Sequence, residues 1–165
     1  MASELAAEVV SALAAGGKTL AVCESLTGGG IGQAITAVPG SSAVFRGGLI
    51  TYATDLKVNL LGLGTSLVER HGVVSGEVAC AMAEASRARC GSDWSVAVTG
   101  VAGPQWQDGQ PPGTVFVAVA GPRGATSARH VFAGDRAEVR ERTIRSALAA
   151  VLGGLGTGGN PRGGE

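Results

Sequence analysis

The sequence is poor in charge, in aromatic rings and in the side chains that usually build metal centres. Charged residues make up 16% of the 165 positions, and the 13 Lys and Arg balance the 13 Asp and Glu. A neutral balance gives no electrostatic footprint for general nucleic-acid binding, so no direct nucleic-acid partner is expected. Cysteine occurs at Cys23, Cys80 and Cys90. An odd count without paired spacing argues against a disulfide framework and a zinc site, and it points to a reducing, cytoplasmic setting. No cluster of metal-ligand spacing is visible, so neither metal nor cofactor is expected. No run has the length and purity of a membrane span, and the start lacks the basic-then-apolar pattern of a secretion signal. Histidine occurs only as His71 and His130. A Ser–His–Asp triad would need one of them beside a reactive serine. The settings are instead a helix end before Gly72, where partial positive charge is favoured, and a strand that alternates between faces.

What is present is apolar and rich in glycine: 45% hydrophobic residues and 28 Gly. The length suits one domain with a sizeable core. Leu5, Val9, Ala12 and Leu13 make one apolar helical face, opened by Ser3 and closed by Gly16-Gly17. Thr19 to Cys23 reads as a strand, Gly29 to Ala37 as a helix, and Phe45 to Ala53 as a second strand. In that second strand, Gly47-Gly48 marks a bulge or a close backbone approach. Thr54, Thr65 and Ser75 are N-cap candidates for two short helices and a longer one. Trp94 to Val98 is a strand that leads into a glycine-punctuated loop, Thr99 to Pro104. Thr114 to Ala120 reads as a strand covered on both faces, and Thr126 to Phe132 as another. Val139, Thr143, Ala147 and Val151 recur at spacings of four in a last helix opened by Gly134-Asp135-Arg136. Helices alternating with strands early, and two adjoining strands late, predict a three-layer α/β/α sandwich with a mixed central sheet. One domain is expected over 1–152 and a disordered glycine-rich tail over 153–165.

The chemistry is expected at Ala21 to Gly30. A short strand ends in Glu24 and Ser25, then Leu26 and Thr27 lead to Gly28-Gly29-Gly30 and a helix start. Glycines between strand and helix leave backbone N–H groups at the turn, and the helix dipole adds positive potential. Ser25 carries a hydroxyl at that spot. The plain alternative is a turn that needs small residues for packing. Lys18 and Lys57 are the only lysines. Lys57 falls in the first turn of a predicted short helix, beside Leu56 and Leu60. Both the dipole and poor solvation would lower its pKa, as a base paired with serine requires; alternatively it is an exposed amphipathic side chain. Tyr52 is the sole tyrosine, either a partnered hydroxyl or simply a good strand residue. Cys23 reads as a core side chain. Arg136 and Arg140, one helical turn apart, either clamp a phosphate or solvate a helix face.

Several stretches carry a family resemblance. They are Glu24-Ser25-Leu26-Thr27-Gly28-Gly29, Val38 to Gly48, Thr51-Tyr52-Ala53, Leu56-Lys57, His71 to Ser75, Thr99 to Pro104, Gly113-Thr114-Val115 and Gly134-Asp135-Arg136. In this order and spacing the chain resembles the CinA carboxy-terminal domain, the nicotinamide mononucleotide amidases, from Ala6 to about Leu152. The resemblance implies an α/β/α fold and hydrolysis of nicotinamide mononucleotide to nicotinic acid mononucleotide and ammonia. It implies Ser25 as nucleophile, Lys57 as general base and Tyr52 assisting. Ser42 and Thr99 would line the pocket, and Arg136 would serve the substrate's phosphate. It also implies metal independence and a homodimer or higher homo-oligomer. The oxyanion is expected on backbone N–H groups of Thr27, Gly28 and Gly29, or of the loop from Gly100 to Gly103. Two departures stand out. Ala53-Thr54-Asp55 replaces the family's frequent Ser-Asn-Glu, and Gln105-Trp106-Gln107 replaces a longer, glycine-rich loop. Trp106 is then either a stacking surface for the pyridine ring or a cap on its own loop. The rival readings are a non-catalytic nucleotide-binding module and a competence or DNA-damage accessory protein.

Overall fold

A computed structural model describes residues 1–157. The chain runs α1 (Ala2–Gly16), β1 (Leu20–Glu24), α2 (Gly30–Thr36), a 3-10 turn (Ser41–Ala43), β2 (Phe45–Ile50), α3 (Thr54–Asn59), α4 (Thr65–His71), α5 (Gly76–Cys90), β3 (Trp94–Gly100), β4 (Thr114–Gly121), β5 (Gly124–Val131) and α6 (Arg136–Thr157). The five strands form one sheet in the order β2-β1-β3-β4-β5. β2, β1 and β3 are parallel, whereas β4 and β5 are antiparallel to their neighbours. The sheet is mixed, as the sequence predicts.

Helices cover both faces. Val9, Leu13, Ile31, Ile35, Val139, Ala147, Leu148 and Val151 of α1, α2 and α6 pack with Val22, Val96 and Val117 on one side. Val78, Ala79, Met82 and Ala83 of α5 pack with Cys23, Ala97 and Ala118 on the other. Every residue of β1 is buried, which explains its unbroken apolar run up to Glu24. The Gly47-Gly48 expectation is met. A Cβ on Gly48 would stand 2.5 Å from the Val22 carbonyl oxygen, and the β1–β2 register shifts between Leu20 and Ala21.

Several boundaries differ from the sequence reading. α1 begins ahead of Ser3, and α3 is capped by Ala53, with Thr54 its first residue and exposed. The Ser75 cap is present, its Oγ accepting from the Val78 N–H at 3.3 Å. Thr99 and Gly100 finish β3 against Phe116 and Val115 rather than opening a loop. β2 stops at Ile50, so Thr51 and Tyr52 lie beyond the strand. The tail does not start at Gly153: α6 continues to Thr157 because Leu155 still packs against the core. The rest of the expected tail, 158–165, lies outside the described residues.

Candidate active site

Parallel strands β1, β2 and β3 end on the same edge of the sheet, where ligands of open α/β folds sit. Ser25 follows β1, Thr51 and Tyr52 follow β2, and Val101 follows β3. A cleft of about 350 Å³ opens there, lined by Ser25, Leu26, Tyr52, the segment from Gly100 to Gln107, and Arg136.

Lys57 reaches this edge from α3. Only 2% of it is exposed, the largest fully buried side chain of the described residues. Its Nζ donates to the Thr51 carbonyl at 2.7 Å and lies 3.2 Å from Ser25 Oγ. Burial pushes the Lys57 pKa below the ordinary 10.5, while Cys23 and Asp108 pull it back up. The cause differs from one expectation. α3 spans six residues and Lys57 sits in its last turn, so the helix dipole does not disfavour the cation; desolvation does the work. Ser25 itself is 8% exposed and opens into the cleft.

The turn after Ser25 is organised by Glu24, a role the sequence did not reveal. Its carboxylate is buried and accepts from Thr27 Oγ1 at 2.6 Å and from the N–H groups of Gly29, Ile31 and Gly32 at 3.1, 3.1 and 2.9 Å. The anion expected at the start of α2 is thus supplied by the chain itself. Gly28 N–H donates to the Ser25 carbonyl at 3.1 Å. Gly28 and Gly29 therefore cannot hold an oxyanion, a correction to the sequence reading, and the Thr27 hydroxyl is equally engaged. The N–H groups of Leu26, Thr27, Ala102 and Gly103 find no acceptor among the described residues; Leu26, Ala102 and Gly103 line the same cleft, whereas Thr27 is fully buried.

The remaining candidates separate. Arg136 stands on the cleft rim, Nη1 donating to Gly103 O at 2.9 Å and Nη2 to the Tyr52 hydroxyl at 2.9 Å. Tyr52 is exposed rather than a buried strand residue. Gly100 and Gly103 line the cleft. Arg140 braces the turn instead of clamping a ligand, with Nε on Leu26 O and Nη2 on Thr27 O, both at 3.0 Å. Thr99 is buried and spends its hydroxyl on Val73 O at 2.7 Å, fixing the segment before α5. Ser42 is not at the site. It is exposed, is absent from the cleft lining, and precedes β2, whose first residue pairs with Leu20 at the far end of β1. His71 sits 3.7 Å from Glu77, and His130 stacks on Phe132, so neither serves Ser25. Cys23 is a core residue whose thiol is pushed up to about 11 by burial.

Fold and site together define an α/β/α domain with a buried lysine against a serine at the carboxyl edge of its parallel strands. The chain belongs to the CinA C-terminal domain family, whose model matches residues 2–155. It is 50% identical over 147 residues to a CinA-like protein of Parasynechococcus marenigrum, covering 87% of this chain and 35% of that one. With a CinA-like protein of Frankia casuarinae it shares 45% over 133 residues, covering 81% of this chain and 31% of that one. The chain thus spans about a third of the length of these curated relatives. Among solved structures, a competence-damaged protein (CinA) superfamily member from Klebsiella pneumoniae superposes with a TM-score of 0.92 at 31% identity, covering 95% of this chain and 99% of that one. A competence damage-inducible protein A from the same species gives 0.91 at 35% identity, covering 94% and 97%.

Proposed function

We propose that this domain is an amidohydrolase that converts nicotinamide mononucleotide to nicotinic acid mononucleotide and ammonia. One observation carries the reading: a desolvated lysine amine lies 3.2 Å from a serine oxygen that opens into a cleft. A neutral amine gives one hydrogen to the Thr51 carbonyl and turns its lone pair to Ser25. The Ser25 hydroxyl then donates to Nζ, and the proton passes across as Oγ attacks the carboxamide carbon. The developing oxyanion is met by N–H groups left unspent on the cleft wall at Leu26, Ala102 or Gly103; one such donor is typically worth about 10² to 10³ in rate. Protonated Lys57 returns its proton to the departing ammonia. Water enters, Lys57 activates it, and the acyl-serine is hydrolysed. The cationic ring withdraws electrons and makes the carboxamide more reactive.

Arg136, with its contacts to Tyr52 and Gly103 exposed, is placed to exchange them for a phosphate. The competence and damage wording in the names of related structures does not point to chemistry at this cleft, and a charge-neutral chain offers little to nucleic acid. The test is ammonia release from nicotinamide mononucleotide by the purified chain. Ser25→Ala and Lys57→Ala should each lose it with their circular dichroism unchanged. Turnover close to wild type in either variant refutes the Ser25–Lys57 assignment.

A further inference from the structure

The loop from Gln105 to Pro112 holds a feature the dyad does not use. Trp106 is 67% exposed on the lip of the cleft that contains Ser25. An indole held in water forgoes the gain of burial, and aromatic side chains make up only 4% of the sequence. Yet Trp106 lines this cleft together with the sole tyrosine, Tyr52, itself 59% exposed.

The loop that presents Trp106 is built, not slack. Gln107 and Gln110 exchange backbone hydrogen bonds of 3.1 and 2.9 Å. Asp108 and Gly109 between them take positive φ, 50° and 70°, the two-residue hairpin for which Asp-Gly is suited. Asp108 Oδ2 accepts from the Val73 N–H at 2.9 Å, tying the hairpin to the segment before α5. Arg136 holds the Gly103 carbonyl on the other side. A pinned hairpin that keeps a large ring outside the core is pre-organised for a ligand face.

Both signs of charge lie at or beside the cleft: Arg136 lines it, and Asp108 directly follows the lining residue Gln107. Asp108 is the only acid between Val101 and Gly113 and is close enough to favour protonated Lys57. Arg136 supplies positive charge at the Tyr52 side of the rim. A ligand with a cationic planar ring at one end and an anionic group at the other matches that polarity.

We infer that Trp106 is a specificity residue of this chain, its indole face stacking on a cationic aromatic ring and selecting N-substituted pyridinium carboxamides over non-aromatic amides. The inference deepens the amidase reading and rests on it for the choice of ring.

The experiment uses the full chain with Ser25→Ala, so that nicotinamide mononucleotide binds without turnover. Emission of that protein minus emission of its Trp106→Phe version reports Trp106. Nicotinamide mononucleotide and 1-methylnicotinamide should quench this difference signal, and ribose 5-phosphate should not. In the Ser25 enzyme, Trp106→Ala should raise KM for nicotinamide mononucleotide roughly five- to tenfold with kcat little changed, and Trp106→Phe should restore most of the loss. Ammonia release without ring-dependent quenching, or with KM unmoved in Trp106→Ala, overturns the inference and leaves the amidase reading standing. Quenching by the pyridinium probes without ammonia release supports the stacking face and removes the amidase reading. Quenching by ribose 5-phosphate to the same degree shows that the ring is not what Trp106 senses and overturns the inference.

Discussion

Thr27 Oγ1 donates to Glu24 Oε2 at 2.6 Å, closing the turn that carries Ser25. The same carboxylate takes three backbone N–H groups at the start of α2. A helix start that elsewhere would receive a substrate anion is here already neutralised from within. The Ser25 turn is therefore braced before any ligand arrives, and on the amidase reading the substrate's phosphate is met by another element, for which Arg136 is an exposed cation on the cleft rim.

Glu24→Gln should damage both stability and turnover. An amide of the same shape turns an NH2 toward backbone donors, leaving buried groups unpaired at a cost of about 1–3 kcal/mol. Chemical denaturation should show that loss, and kcat should fall at least tenfold with KM less affected, because the displaced turn carries Ser25, the proposed nucleophile. A variant with wild-type kcat would show that the turn holds Ser25 without this carboxylate.

In the proposed mechanism Lys57 acts as a base, not as a charge. Its pKa is lowered by burial, so kcat/KM should rise with pH through a limb centred below the ordinary 10.5 of lysine. Lys57→Arg keeps the cation and cannot deprotonate in this range. It should be no more active than Lys57→Ala. Measurable activity in the arginine variant would mean that positive charge beside Ser25 is what matters.

The same shift has a consequence for stability, with a definite sign. A folded-state lysine pKa below its unfolded value means that the unfolded chain binds more protons between the two. Stability therefore rises with pH across that window, by at most about 1.4 kcal/mol per pH unit. Lys57→Met removes the effect, so stability measured against pH should climb more steeply in the wild type than in the variant up to about pH 10.5. Cys23 works in the opposite sense. Its thiol is raised from 9.0 to about 11, so its contribution is fully present below pH 9 and is lost as pH rises through 11. Cys23→Ala should flatten that decline, which on a two-unit shift is on the order of 2–3 kcal/mol.

The sheet and its layers were readable from hydrophobic pattern because burial is a pattern-level property: β1 is buried throughout and β4 nearly so. The Ser25 turn was readable for the same local reason, an apolar run ending in glycines. What the sequence hid depends on contacts between distant segments. By position alone Lys57 reads more readily as a solvated helix residue, since nothing local says that α3 is folded onto the cleft. The Glu24 carboxylate was visible as an acid but not as the partner of three N–H groups that follow it. Arg140 and Ser42 show the reverse error. Spacing pairs Arg140 with Arg136, yet tertiary packing gives it two carbonyls of the Ser25 turn. The family resemblance implies a pocket role for Ser42, which precedes β2 at the end away from the cleft. Ser42→Ala is accordingly expected to leave kcat/KM of the domain within about twofold, the usual range for an exposed surface change. Gly153 misled through composition, because Leu155 keeps the helix packed beyond it.

Arg136 is where the phosphate hypothesis can be separated from a structural role. In the unliganded chain its donors go to Gly103 O and the Tyr52 hydroxyl, so it both shapes the cleft and offers a cation to it. If it receives the phosphate, Arg136→Ala should raise KM for nicotinamide mononucleotide about tenfold or more, as loss of a charge-assisted contact does, and should leave KM for nicotinamide riboside, which lacks that group, nearly unchanged. If it only holds the loop, both substrates suffer alike. Tyr52→Phe separates the cases again. It removes one acceptor of Arg136 while keeping the ring, so a phosphate-binding arginine should keep its preference for the mononucleotide. A loop-holding arginine would lose activity on both substrates in that variant too. Steady-state rates on the two substrates, measured across the three proteins, decide between these roles.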